Sequence, residues 1–262
     1  MIGRTFTQAV AVGAALCFGV MANAETLTAG TVIGNVPWEF QNDSGEYVGF
    51  DVDLAKIVAE RMGHKLVIEN IPFNGLFSAV QSGRVDFVPS TVTITAERME
   101  SVSFSQPYYD SDQSLTTRQD GPASLEEMEG KVVGVDTGAT GDIWATKHAE
   151  EYGITEIRRF EGLQLAMLDL ETDGIDGYIS DIPALEYYVQ DKPNLRVAQR
   201  IPTGEQYGWM FAKDSELRAE MNDVISQLKK EGVLAELHEK WFGTMPDETT
   251  STVQVRDMPS PD

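Results

Sequence analysis

Arg98 closes a run in which small hydroxyls recur: Ser90-Thr91-Val92-Thr93-Ile94-Thr95-Ala96-Glu97-Arg98. The preceding segment, Val85 to Val88, reads as a short buried strand. Beyond it, Ser90 or Thr91, Thr93 and Thr95 fall on alternate positions. Thr95 is a candidate N-cap for a helix whose first turn is Ala96-Glu97-Arg98. That cap would hold Arg98 on rigid elements near the mouth of a sheet. A guanidinium fork beside small hydroxyls and free backbone N–H groups suits a carboxylate. Taken alone, Arg98 reads rather as a surface arginine on an ordinary helix; its surroundings turn the reading toward a site.

The elements that would position this group follow an alternating pattern. Leu27 to Gly34 reads as a strand, and Asn35 to Phe40 as a turn with apolar anchors. Phe50, Leu54, Ile57 and Val58 fall at helical spacing, and Gly63 stops them. Lys65 to Ile71 alternates as a strand, and Phe73 to Gln81 reads as a short helix. The alternation resumes near Leu125, with strands at Val132–Val135, Ile154–Phe160 and Gly177–Ser180 separated by helices at Asp142–Tyr152 and Leu163–Thr172. Asp214 to Trp241 reads as one or two amphipathic helices broken near Gly232. Strands alternating with helices predict an α/β fold built on parallel sheets.

The 262 residues allow one large domain or two lobes. Residues 1–24 read as a secretory signal: Arg4 is the only charge, an apolar run follows, and Ala22-Asn23-Ala24 is a small-x-small cleavage pattern. Cys17, the only cysteine, lies inside that signal, so no disulfide is expected in the mature chain. No later segment is apolar and long enough to span a membrane. A formal charge of −22 argues against nucleic acid or an anionic membrane surface as partner. His64, His148 and His238 match no metal-ligand spacing, so neither a metal nor a cofactor is expected. Residues 247–262, rich in Pro, Asp, Thr and Ser, read as a flexible tail.

In this order the motifs resemble the periplasmic solute-binding proteins of ABC importers, polar amino acid class. Gly49-Phe50-Asp51-Val52-Asp53-Leu54-Ala55 is similar to that family's first-helix signature. Thr93-Ile94-Thr95-Ala96-Glu97-Arg98 and Phe104-Ser105-Gln106-Pro107-Tyr108-Tyr109 resemble its strongest one. Gly138-Ala139-Thr140, Tyr207-Gly208 and Lys240-Trp241-Phe242-Gly243 resemble later ones. The resemblance implies a type II two-lobe α/β fold with a ligand cleft between lobes joined by two crossing strands. Lobe one would comprise 25–111 plus 206–246, and lobe two 112–205. The crossing strands would lie near Asp110–Leu115 and Arg200–Trp209.

The same resemblance implies the site. Arg98 would grip a ligand α-carboxylate, helped by Thr93 and, from lobe two, Thr140 and Gly141, with Ser90 also among the ligand-binding residues. Asp181, with the Thr91 carbonyl and the Thr93 hydroxyl, would hold the α-ammonium, although Asp181 also reads as a helix cap before Ile182-Pro183. Phe73 would pack on the ligand side chain. Asn35 replaces an aromatic usual in the family and adds an amide. Val32 stands where cation-reading members often carry an aspartate. Asp136 could supply that acid and would favour a cationic or polar side chain, or it could be a solvated loop residue. The implied protein is a periplasmic monomer that delivers an amino acid, or an amino-acid-like zwitterion, to an inner-membrane ABC permease. The alternatives are a cyclohexadienyl dehydratase-like enzyme, with Asp181 or Glu205 as proton donor, and a free receptor serving a separate sensor.

Overall fold

The structure, a computed structural model, describes residues 25–260, so the expected signal segment lies outside the described residues. The chain enters lobe one through β1 (Thr26–Thr31), β2 (Phe40–Gln41), β3 (Tyr47–Val48), α1 (Phe50–Arg61), β4 (Lys65–Asn70), α2 (Phe73–Gln81), α3 (Ala96–Met99) and β5 (Val102–Phe104). β6 (Tyr109–Arg118) crosses to lobe two. There β7 (Val132–Asp136), α4 (Thr140–His148), β8 (Glu156–Phe160), α5 (Leu163–Glu171), β9 (Gly177–Asp181) and α6 (Ile182–Val189) follow. β10 (Leu195–Tyr207) returns, and β11 (Met210–Ala212), α7 (Leu217–Glu231) and α8 (Val233–Phe242) complete lobe one.

In lobe one, β1 and β4 pair in parallel from Thr26↔Lys65 to Thr31↔Asn70. The buried stripe Phe50, Leu54, Ala55 and Val58 of α1 joins Leu228 of α7 and Leu234 of α8 in one core. Gly49 lets α1 start there: its φ is 132°, and a Cβ would stand 2.1 Å from the Trp38 carbonyl oxygen. The expected strand at Val85–Val88 shrinks to single bridges, Phe87 to Ala29 and Val88 to Met210. Pro89 has no N–H to extend the ladder, and the Asp86 carboxylate takes a backbone position, accepting from the Thr28 amide at 2.6 Å.

Lobe two is a five-stranded sheet in the order β10-β6-β9-β7-β8. β7 runs parallel to β8 and β9, while β6 is antiparallel to β9 and β10. β6 and β10 also form the crossing, paired from Leu195↔Arg118 to Tyr207↔Tyr109. Their register shifts between Ile201 and Glu205, next to Gly204 at φ 64°. That bulge re-aims the chain just before it re-enters lobe one.

The expected flexible tail is corrected. Ser251 and Thr252 are buried. The Ser251 amide and hydroxyl both donate to Asp110, at 2.7 and 2.5 Å. Lys229 Nζ donates to the Gln254 carbonyl at 3.0 Å and to Pro107 and Gln106 of lobe one. Composition alone suggested solvation, but these polar groups find specific partners on lobe one.

Candidate functional site

On the lobe-one wall, the Thr95 hydroxyl accepts from the Arg98 amide at 3.1 Å, which fixes the start of α3. Arg98 is buried, so the surface reading fails. Its guanidinium donates to the Thr93 carbonyl at 2.8 Å and, across the cleft, to the Gly138 carbonyl at 3.3 Å. It also lies over the Phe73 and Phe77 rings, 5.4 and 5.3 Å from their centroids. Phe73 therefore lines the cleft and braces the arginine at once. Burial pulls Arg98 below the ordinary arginine range, while Asp181 and Glu205 oppose that effect.

On the lobe-two wall, Asp181 ends β9 and precedes α6 without making a side-chain cap. Its carboxylate accepts from Gln113 Nε2 and, at 2.6 Å, from the Tyr207 hydroxyl. The cap reading therefore gives way to a network on the crossing strands. Burial and the neighbouring Glu205 push Asp181 up to about 7. Thr140 opens α4, and its hydroxyl donates to Glu205 Oε2 at 2.8 Å. Thr93 donates to the same oxygen at 2.7 Å. Gln113 Nε2 donates to Glu205 Oε1 at 3.0 Å.

These walls enclose a cavity of about 180 Å³. Arg98, Thr93, Thr91, Ser90, Phe73 and Asn35 line it from lobe one, and Asp136, Thr140 and Asp181 from lobe two. Gly141, expected to approach a ligand, is not among the lining residues. A Cβ there would meet the Ile179 carbonyl oxygen at 2.7 Å, so this glycine lets α4 pack onto β9. The Asn35 amide is directed to the Thr91 hydroxyl at 3.3 Å and to Glu39 at 3.5 Å. Ser90 donates to Glu39 at 2.7 Å and accepts from the Val32 amide at 3.1 Å. Asp136 accepts from the Gly162 amide at 3.2 Å, and burial raises it to about 6.

Sequence reasoning assigned no site role to Glu39, Asp51, Gln113 or Tyr207, and considered Glu205 only as a proton donor. Asp51 lay inside a quoted signature, and its full burial beside Glu39 was the missing fact. Gln113 stands opposite Asp181 in the β6–β9 register, a relation that only strand pairing creates.

Two α/β lobes on paired crossing strands, with a cationic group on one wall and an acid on the other, define a two-lobe solute receptor. The chain belongs to the bacterial extracellular solute-binding proteins, family 3, whose model matches residues 27–244. It is 31% identical to the arginine-binding extracellular protein ArtP of Bacillus subtilis, over 86% of this chain and 89% of that one. A probable histidine-binding protein of Neisseria gonorrhoeae is 32% identical, over 79% of each chain. Among solved structures, the arginine-, lysine-, histidine-binding protein ArtJ of Geobacillus stearothermophilus superposes with a TM-score of 0.79 at 32% identity, covering 86% of this chain and 98% of its own. These relatives are binding proteins, and so is this chain; the enzyme alternative falls.

Proposed function

We propose that the cleft binds a cationic L-amino acid, with arginine as the leading candidate, and that the protein delivers it as a periplasmic monomer to an inner-membrane ABC permease. In this reading the signal is cleaved after Ala24. One observation carries the choice of ligand: among the described residues, Asp136, Glu161 and Asp181 line the cleft as acids free to face a ligand, against a single lining cation, Arg98. Arg98, Thr93 and Thr140 suit the α-carboxylate, and Asp181 suits the α-ammonium. An α-amino acid carries both charges at once, one for each lobe, so it favours the arrangement in which the lobes meet. The surplus of acids then selects a cationic side chain and disfavours an acidic one. The names of the relatives support the same choice.

Thermal shift on the mature chain tests this reading, because a ligand that binds only the folded state raises the melting temperature. L-Arginine is expected to raise it. Agmatine, which lacks the carboxylate, should raise it far less, and L-glutamate not at all. A flat response to arginine, lysine and histidine would overturn the reading.

A further inference from the structure

Glu39 and Asp51 are both fully buried and meet behind the lobe-one wall. Glu39 Oε1 accepts from Ser90 and Asn35. Asp51 Oδ2 accepts from the Thr91 amide and the Tyr108 hydroxyl, both at 3.0 Å. Each carboxyl keeps a second oxygen, Glu39 Oε2 and Asp51 Oδ1, that accepts nothing from any donor among the described residues. Two ionised, dry carboxylates side by side would repel, and buried polar atoms are rarely left unpaired. One proton between them satisfies both oxygens.

What hangs on these two acids is the cleft wall itself. Thr91 has φ 45°, a left-handed conformation that a β-branched residue adopts only when its surroundings hold it there. The Asp51 carboxylate holds its amide, and Asn35, tied to Glu39, holds its hydroxyl. Ser90 is fixed by Glu39.

We propose that Glu39 and Asp51 form a single-proton acid pair, Glu39 donating to Asp51, that positions Ser90, Thr91 and Asn35 for the ligand. Both act as positioning residues through those three side chains. Burial and the Asp51 charge hold Glu39 well above the ordinary glutamate range, while burial raises Asp51 to about 7. The titratable group facing them from lobe one is Tyr108, itself raised by burial and by both acids. Across the cleft stand Asp136 and Asp181, raised to about 6 and about 7. No lysine, arginine or histidine among the described residues contributes to either acid.

The amino-acid reading enters only through the choice of probe. The direct test is the infrared C=O stretch of a protonated carboxyl in the mature protein at roughly pH 8, where the other raised acids are ionised. The wild type should show this band and Glu39→Gln should lack it. The Thr91 amide resonance should stay near its wild-type position in Glu39→Gln, which keeps the donor, and move in Glu39→Ala. Calorimetry with L-arginine should give Glu39→Gln within about threefold of wild type and Glu39→Ala at least about 30-fold weaker. A wild type without the band, or a band that survives Glu39→Gln, overturns the pair. If wild type shows the band but does not bind arginine, the pair stands and the ligand reading falls.

Discussion

Thr93 Oγ1 of lobe one and Thr140 Oγ1 of lobe two lie 3.5 Å apart across the cleft, and both donate to one oxygen of Glu205. Glu205 follows the bulge in β10, so the strand that joins the lobes also carries the group that ties them. Glu205→Ala takes the shared acceptor from two hydroxyls and one partner from the Gln113 amide, which keeps Asp181. L-Arginine affinity should fall by about 2 kcal/mol, roughly 30-fold, in calorimetry. Unchanged affinity would show that the tie is decorative.

Arg98→Lys preserves charge and removes geometry. An ammonium cannot reproduce the fork that reaches Thr93 and Gly138, nor the flat seat on Phe73 and Phe77. Affinity should drop by at least about 2 kcal/mol while the melting temperature moves by only a few degrees. Binding and melting are measured on the same sample, so loss of fold is separated from loss of grip.

Asp181 carries a pH signature. Its carboxyl sits at about 7 in the folded protein, raised from an ordinary value of 3.8 by burial and by Glu205. The folded state then binds more protons than the unfolded chain between these values, so this group's contribution to stability falls as pH rises through that window. An ammonium beside Asp181 favours the ionised form, and binding below about pH 7 releases a proton. Affinity for L-arginine should therefore climb from roughly pH 5 to pH 7, approaching tenfold per unit at most, and then level off. Asp181→Asn should bind more weakly and lose the slope between about pH 6 and pH 7, keeping only the lower part that Asp136, raised to about 6, supplies; a slope that persists up to pH 7 would assign the titration elsewhere.

Ending the chain after Met245 removes the Ser251–Asp110 bonds and the Gln254 acceptor of Lys229. It also uncovers Lys229, which is 4% exposed when the tail is in place. Urea unfolding should report a loss of about 2–4 kcal/mol. Ser251→Ala alone should cost about 1 kcal/mol.

What the sequence revealed was what local chemistry encodes. The Thr95 cap joins a hydroxyl to an amide three residues on, and the break at Gly232, φ 84°, is written in one residue. Arg98 was placed by the Thr95 cap beside it, and the roles of Arg98 and Asp181 were what the resemblance implied. Glu39 and Asp51 were not, because Trp38-Glu39-Phe40 reads as an apolar turn and only the close approach at Gly49 carries it over the start of α1. Gly141 was misread for a related reason. A glycine's pattern does not say whether a ligand or a neighbouring strand comes near, and here it is β9. The tail was misread because Ser and Thr look solvated until a partner such as Asp110 is in view.

The docked tail lies beyond residue 244, where the match to the family ends, yet its anchor Asp110 is paired with Gln206 on the crossing strands. Gln206 itself donates to both Asp110 and Ser251, at 2.9 Å each. The paired crossing strands are thus buttressed by a stretch of chain that does not line the cleft. A substitution there is expected to change how readily the lobes part, read as a change in ligand off-rate, without altering a residue that lines the cleft. Selection on uptake therefore has a handle separate from selection on specificity.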